Sequence, residues 1–580
     1  MNYILSFDQP HAQLVDVCIE TTVGAGETLF HLPRWRPGRY ELQRYDRLIA
    51  DLVATDADGG PLPLVQRSTH SWALMAATAG AVRLCYRFYA NQPDAGGSFF
   101  DASQIYLNGI NLLLYRETRL DKPCTLRLHL PSGYRLACGL PQASDGLIHA
   151  PDYHTLVDAP LFAAPDLLHH SLLVQDIPIH LWFMGACQPD LDRIGRDIRS
   201  YTEAQLTLFG GLPVDQYHYL YLMLPNDFRH GVEHHNSTVI AMGPGHRLMQ
   251  PAFYRSFLEI SSHEFFHTWN VKALRPADMW PYNYSRENYS RLHYITEGIT
   301  TYYGDLMLWK AGVWGLDQWL ESINGELMQH YQMVGKDHVS LEEASFRSWT
   351  NGYTSEGIPH RKISFYTKGY LVAMLLDMQI RRATDDQYSL DTVMARLYRQ
   401  VALAGRGYTE ADFREVLVAV AGQRFDAFFE AYVAGVEPLD PALAELGSYY
   451  GLLLTSFEPA SPAEGRLGLR TRSGSSVIDQ LLPGSPLLEA GLSRGDELVA
   501  IDGHRLNGNL DDWLTHLWPN GRVHLHYFHR QRLMETVVTL PDTALVRYPQ
   551  FVALGQATPA QQRRREAWQR VDRPEPVYQP

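Results

Sequence analysis

The sequence predicts a multidomain α+β chain: an antiparallel β-domain first, a mostly helical domain next, and a smaller strand-rich module near the end. Three observations predict this. The chain has 580 residues, and a single hydrophobic core stops growing at roughly 250 to 300 residues. Apolar and polar positions alternate through the N-terminal part and again after residue 445, whereas residues 252–435 carry apolar positions at steps of three and four, the periods of strand and helix. Hydrophobic residues make up 45% and charged ones 20%, which is the composition of a folded chain rather than a disordered one.

The first domain is read over residues 1–168. Val15, Val17 and Ile19, then Val82, Leu84, Tyr86 and Phe88, then Leu126, Leu128 and Leu130 each put apolar side chains on one face, as half-buried strands require. Turn signals at Asp58-Gly59-Gly60 and Pro131-Ser132-Gly133 separate such runs, favouring an antiparallel sandwich or open β-domain. The second domain, 169–445, opens with strand-like runs at 177–183 and 217–224 and then turns helical. Phe253, Phe257, Ile260, Glu264 and His267 share one stripe there, and Tyr254, Leu258, Phe265 and Trp269 form its neighbour. A helix apolar on two faces is a buried helix. Thr409 and Asp412 have the spacing of a capping box for a helix through Val420. Residues 446–545 return to short strands, and 546–580, rich in Gln, Arg and Pro, read as a peripheral tail with room for one short helix.

A net charge of -14 and a pI near 6.0 argue against nucleic acid or an anionic membrane as partner. The N-terminus has no cationic start followed by an apolar stretch, and no run approaches 18 apolar residues. The expected location is cytoplasmic. Cys18, Cys85, Cys124, Cys138 and Cys187 are odd in number, scattered and without CxxC spacing, so reduced and mostly buried thiols are expected.

The chemistry concentrates at His263-Glu264-Phe265-Phe266-His267. Imidazoles at i and i+4 project from one helix face and can share a tetrahedral zinc. Glu264, beside the first ligand, can take a proton from a water that the metal acidifies. The third ligand is read as Glu297, which shares a face with His293, Tyr294, Thr301 and Leu308. A carboxylate on an otherwise apolar face is costly unless a charge or metal compensates it. Gly298 and Gly304 would let helices approach closely there. A competing inverted motif, HxxEH, runs from His230 to His234, but Pro225-Asn226-Asp227 precedes it and Gly231 interrupts it. It reads as a loop entering an edge strand, where two such histidines do not converge.

HEFFHTWN at 263–270, Val271-Lys272, Arg275-Pro276, TEGITTYYGD at 296–305 and the earlier Leu32-Pro33, Trp35 and Pro37-Gly38 together resemble the glycyl aminopeptidase group, metallopeptidase family sixty-one. The resemblance spans nearly the whole chain. It implies an N-terminal β-domain, a thermolysin-like, mostly helical zinc peptidase domain and a C-terminal PDZ domain. It also implies a gluzincin site with His263, His267 and Glu297 as ligands and Glu264 as general base. Tyr366, in SFYTKG at 364–369, looks like the tyrosine aimed at the oxyanion, and Glu233 like the carboxylate that holds the substrate's α-amine. Its neighbours here are Val232 and His234, where the wider aminopeptidase superfamily has methionine and asparagine. The implied activity is zinc-dependent removal of N-terminal glycine or alanine from peptides. A zinc endopeptidase with the same site is the alternative within the class. A PDZ scaffold with a structural zinc is the alternative outside it, against which Glu264 speaks, since a structural site needs no base.

Leu467-Gly468-Leu469, PGSP at 483–486, Ala490-Gly491-Leu492 and GDELVAIDG at 495–503, with helical spacing over 510–517, resemble a PDZ domain of the bacterial protease type. Such domains capture an extended peptide by β-augmentation. The expected partner is a peptide or protein C-terminus held at Leu467-Gly468-Leu469, and the alternative is a packed module without a free ligand.

Overall fold

The computed structural model describes residues 1–354, 357–358, 361–472, 474–516 and 521–573. In the N-terminal domain the main sheet has six strands, in the order Ile148–Ala150, Cys124–His129, Asn2–Gln9, Leu14–Val23, Gly80–Tyr89 and Ile49–Asp56. Alternation places Val15, Val17 and Ile19 in the core, each fully buried. The expectation of a wholly antiparallel domain fails at one pair, because Asn2–Gln9 runs parallel to Cys124–His129. Parallel neighbours need a long crossover, and periodicity within a strand carries no trace of its partner's direction. The free-thiol expectation is corrected too. Cys18 and Cys85 lie directly opposite each other on adjacent strands and are joined as a disulfide with Cα atoms 4.2 Å apart. Only the register between strands brings these residues together. Cys124, Cys138 and Cys187 are free.

The second domain begins with a mixed sheet built from β1 (Leu168–Val174), β2 (Ile177–Met184), β3 (Tyr217–Met223), β4 (Phe228–Glu233) and β5 (Ser237–Gly243). The spatial order is β1-β2-β3-β5-β4. The inner strands β3 and β5 are buried along their whole length, as parallel strands covered on both faces should be. β4 pairs only with β5, antiparallel, which leaves its other edge open. The helices α1 (Leu191–Phe209) and α2 (Pro251–Phe266) pack on this sheet, and α3 (Thr300–Lys310), α4 (Leu316–Gln332) and α5 (Thr367–Ala383) build the helical layer behind them. Pro251 occupies the first turn of α2, where its missing N–H costs nothing. α2 packs on α3 at Gly304, where a Cβ would stand 2.9 Å from the Cβ of His263. Among the described residues no helix is long and apolar enough to cross a membrane.

The strand-rich module contains β6 (Leu452–Phe457), β7 (Leu469–Thr471), β8 (Ile478–Leu481), β9 (Glu497–Ile501), helix α6 (Leu510–His516), β10 (Arg522–His529), β11 (Arg532–Thr539) and β12 (Tyr548–Ala553). Leu467, Ile478, Leu498, Leu525 and Val538 belong to a core of its own. Leu517, the expected end of α6, lies outside the described residues.

The stretch from 546 is not a peripheral tail. β12 pairs antiparallel with β6 over its whole length. Asn324 of α4 brackets the main chain of Phe551, accepting from its N–H at 2.7 Å and donating to its carbonyl at 3.0 Å. Helix α7 (Pro559–Gln569) then buries Trp568 to 1% exposure. The indole N–H reaches both the Tyr302 hydroxyl and the Asp377 carboxylate at 3.0 Å. A helix that is polar on average hides its docking role because one tryptophan supplies most of the buried face.

Candidate metal centre and cleft

His263 lies one turn before the end of α2, and His267 continues its helical backbone at φ -59, ψ -19. Their Nε2 atoms converge to 3.0 Å. The chain then leaves helical geometry at Asn270, with φ -111 and ψ 82. This break turns the Asn270 carbonyl back to accept the His267 Nδ1–H at 2.8 Å and the Thr300 hydroxyl at 2.9 Å. A proton held on Nδ1 leaves the Nε2 lone pair free for a metal.

Glu297 sits in a π-helical turn, Tyr294–Ile299, that leads into α3; such wide turns recur at functional sites. The turn approaches α5 so closely that a Cβ on Gly298 would stand 2.6 Å from the Cα of Gly369. Glu297 divides its two oxygens. Oε2 lies 3.4 Å from His267 Nε2, and Oε1 accepts the Tyr40 hydroxyl at 3.0 Å. Tyr40 comes from the N-terminal domain, is 1% exposed and stacks on His293 with ring centroids 3.8 Å apart.

The donor set fits zinc. His263, His267 and Glu297 present ligand atoms within 4.8 Å of one another. Ligands bonded at roughly 2.0 to 2.1 Å in a tetrahedron stand about 3.3 to 3.4 Å apart. The charges ask for a cation as well. Glu233, Glu264 and Glu297 are 4%, 5% and 2% exposed in one small volume. Burial pushes the Glu264 carboxyl up to about 8. Burial opposes a proton on His267, but Glu297 beside it reverses the balance and raises the imidazole to about 10. Both shifts reflect uncompensated negative charge among buried donors, which a dication bound by all three would neutralise.

Tyr40→Phe is expected to leave the fold intact and loosen zinc by roughly 10- to 100-fold, the usual cost of losing a group that orients a ligand. Chelator competition with the variant measures this directly. Unchanged retention of the metal would mean that the hydroxyl only fills space.

An open cleft of about 690 Å³ runs past the centre, lined by His263, Glu264, His230, Tyr353 and Tyr366 among others. β4 forms its rim. Any side chain at Gly231 would displace the Glu264 carboxyl, because a Cβ there would lie 2.0 Å from Glu264 Oε1. Tyr366 immediately precedes α5, and its hydroxyl lies 3.1 Å from that of Tyr353. Burial, with Glu297 adding to it, holds the Tyr366 hydroxyl well above the usual phenol range, so it stays protonated and able to donate.

Glu233 ends β4, and its Oε1 has no hydrogen-bond partner among the described residues. The loop of the N-terminal domain presses on its other oxygen. A Cβ at Gly38 would stand 2.4 Å from Oε2, and Gly38 has φ +81, so only glycine fits both demands. Glu233, Glu264 and His267 likewise place donor atoms within 4.8 Å of one another.

The inverted motif falls mostly within the edge strand itself: His230 to Glu233 pair regularly with β5, and His234 follows directly after the strand. Its histidines are engaged separately. His230 meets Arg36 at 3.4 Å and Asp94 at 3.9 Å. His234 lies 3.0 Å from Asp158, whose other oxygen is 2.7 Å from Lys272 Nζ.

Residues 2–165 match the family model of the Peptidase M61 N-terminal domain and residues 256–372 that of M61 glycyl aminopeptidase. An aminopeptidase N family protein from Idiomarina loihiensis is 27% identical, with a TM-score of 0.89 over 97% of this chain and 99% of that one. An M1 zinc metallopeptidase from Deinococcus radiodurans is 14% identical, with a TM-score of 0.46 over 75% of this chain and 94% of that one. No curated protein matches. Helix, ligand set and domain order together define a zinc metallopeptidase. The chain thus carries an M61 N-terminal domain over residues 2–165 and an M61 glycyl aminopeptidase domain over residues 256–372.

Proposed function

We propose that the chain is an aminopeptidase that removes small N-terminal residues, glycine or alanine, from peptides. His263, His267 and Glu297 would hold zinc, which supplies Lewis-acid polarisation of the scissile carbonyl and acidifies water. Glu264 takes the proton of the attacking water and passes it to the leaving amine. The protonated hydroxyl of Tyr366, shared with Tyr353, donates to the oxygen on which negative charge develops. Glu233 receives the substrate's ammonium.

The observation that carries the exopeptidase reading is the position of Glu233. An unpaired, buried carboxylate oxygen beside the base is costly, and an ammonium arriving there would relieve that cost. The Gly38 loop closes the space behind it, whereas an endopeptidase needs room for chain on that side. The preference for small residues rests on the family.

The test is Glu233→Gln. A charge-assisted hydrogen bond contributes roughly 1.5 to 3 kcal/mol, so kcat/KM for free-amine substrates should fall about 10- to 100-fold. Cleavage of N-acetylated substrates, already poor, should hardly change. Equal losses on both substrate types would assign Glu233 a structural role, and efficient wild-type cleavage of blocked peptides would favour the endopeptidase.

For the C-terminal module the PDZ reading draws support from a groove of about 290 Å³ reaching from Leu469 and Arg470 of β7 to Leu510 and Asp511 of α6. The expected carboxylate loop does not have the form foreseen. Gly468 is the left-handed cap of a short helix, and its N–H is already given to the Glu464 carbonyl at 3.1 Å. Arg470 ties β7 to the peptidase domain through the Gln332 carbonyl at 2.9 Å. These contacts favour a module that is docked on the peptidase domain and shapes access to it.

A further inference from the structure

The outer face of the module's edge hairpin carries a second cluster of metal-capable side chains. On β10 the residues Val523, Leu525 and Tyr527 turn inward to the core, so His524, His526 and Phe528 turn outward. On β11, Glu535 stands directly opposite His526, Val537 opposite His524 and Leu533 opposite Phe528. One oxygen of Glu535, Oε2, lies 3.4 Å from His524 Nε2 and 3.5 Å from His526 Nε2. All three donors lie within 4.8 Å of one another, and the two rings are 4.6 Å apart.

We propose that His524, His526 and Glu535 form a second binding site for a divalent ion of the zinc class. The two imidazole–carboxylate separations match those between ligands sharing a small tetrahedral ion, about 3.3 to 3.4 Å. Plain ion pairing accounts for the cluster less well. Two imidazolium rings this close repel, whereas a single dication satisfies two neutral imidazoles and the carboxylate at once.

The frame is rigid. The His524 N–H donates to Asp502 Oδ1 at 2.8 Å, and the Asp502 N–H donates to the His524 carbonyl at 2.8 Å, so the strand that bears both histidines is fixed before any ion arrives. Three protein donors leave one coordination position open to solvent. The donor types repeat those of the peptidase centre, and the two sites should therefore take the same metal. H-x-H on an alternating strand puts both imidazoles on one face, a signal that can be read in the sequence at 524–526.

Metal counting on the full-length chain tests the proposal. After titration with zinc and removal of the free ion, two equivalents per chain are expected. His524→Ala/His526→Ala should lose one equivalent and retain peptidase activity. His267→Ala should lose the other and retain this one, which separates a failure here from a failure of the peptidase assignment. Copper(II) loaded into the His267→Ala protein should show imidazole nitrogen couplings in its electron paramagnetic resonance spectrum. If the double variant loses its cooperative melt, Glu535→Gln decides in its place, with weakened binding of the second ion expected. A single equivalent in the wild type, a second equivalent indifferent to these substitutions, or a copper spectrum without nitrogen couplings would overturn the site.

Discussion

Glu264→Gln should keep the fold and the zinc yet lose on the order of 10² to 10⁴ in kcat, the usual contribution of a positioned general base. The amide has the shape of the carboxyl but no site for the water's proton. Retention of metal is expected because Glu264 is not among the three converging ligands; its own carboxylate groups instead with Glu233 and His267. The environment suits the role. Burial lifts the carboxyl toward neutrality, and a dication beside it would pull the pKa back down, leaving a base able to take and release a proton near pH 7. Gly231 holds the carboxyl against the β4 backbone, so the glutamine should occupy the same place. Turnover by the zinc-loaded variant is the measurement, and near-wild-type rates would remove Glu264 from the reaction.

The histidine pair was legible because its geometry is local. Four residues along one helix fix which face two side chains share, and no tertiary knowledge is needed. Glu297 could be read for a second reason, since a carboxylate among apolar neighbours needs a compensating partner wherever the chain goes. Gly298 and Gly304 do mark close helix contacts, with Gly369 and His263 respectively.

What escaped the sequence was set by chain crossings. Tyr40 lies 257 positions from the carboxylate it supports, and nothing near it marks a ligand partner. The Asn270 carbonyl that orients His267 arises from a backbone break, to which side-chain patterns are blind. Tyr353 meets Tyr366 only through the fold. Cys18 and Cys85 pair by strand register. Trp568 was overlooked for the opposite reason: its segment is so polar that a single buried ring cannot shift the average.

The second large effect is expected at the metal ligands. His267→Ala removes one of three converging donors and, with it, the group that Asn270 and Glu297 hold in place. The remaining imidazole and carboxylate can no longer hold the ion against dialysis, because structural and catalytic zinc sites depend on at least three protein ligands. Zinc content should fall by one equivalent per chain and peptidase activity should vanish. His234→Ala is the matched control. It shortens the other motif's histidine and leaves Asp158 to Lys272 alone. Breaking a buried charged network is destabilising by a few kcal/mol, so a lower melting temperature is expected with the full complement of zinc retained. Metal analysis of the two variants side by side separates the sites: zinc kept in His267→Ala and lost in His234→Ala would move the centre to the edge strand.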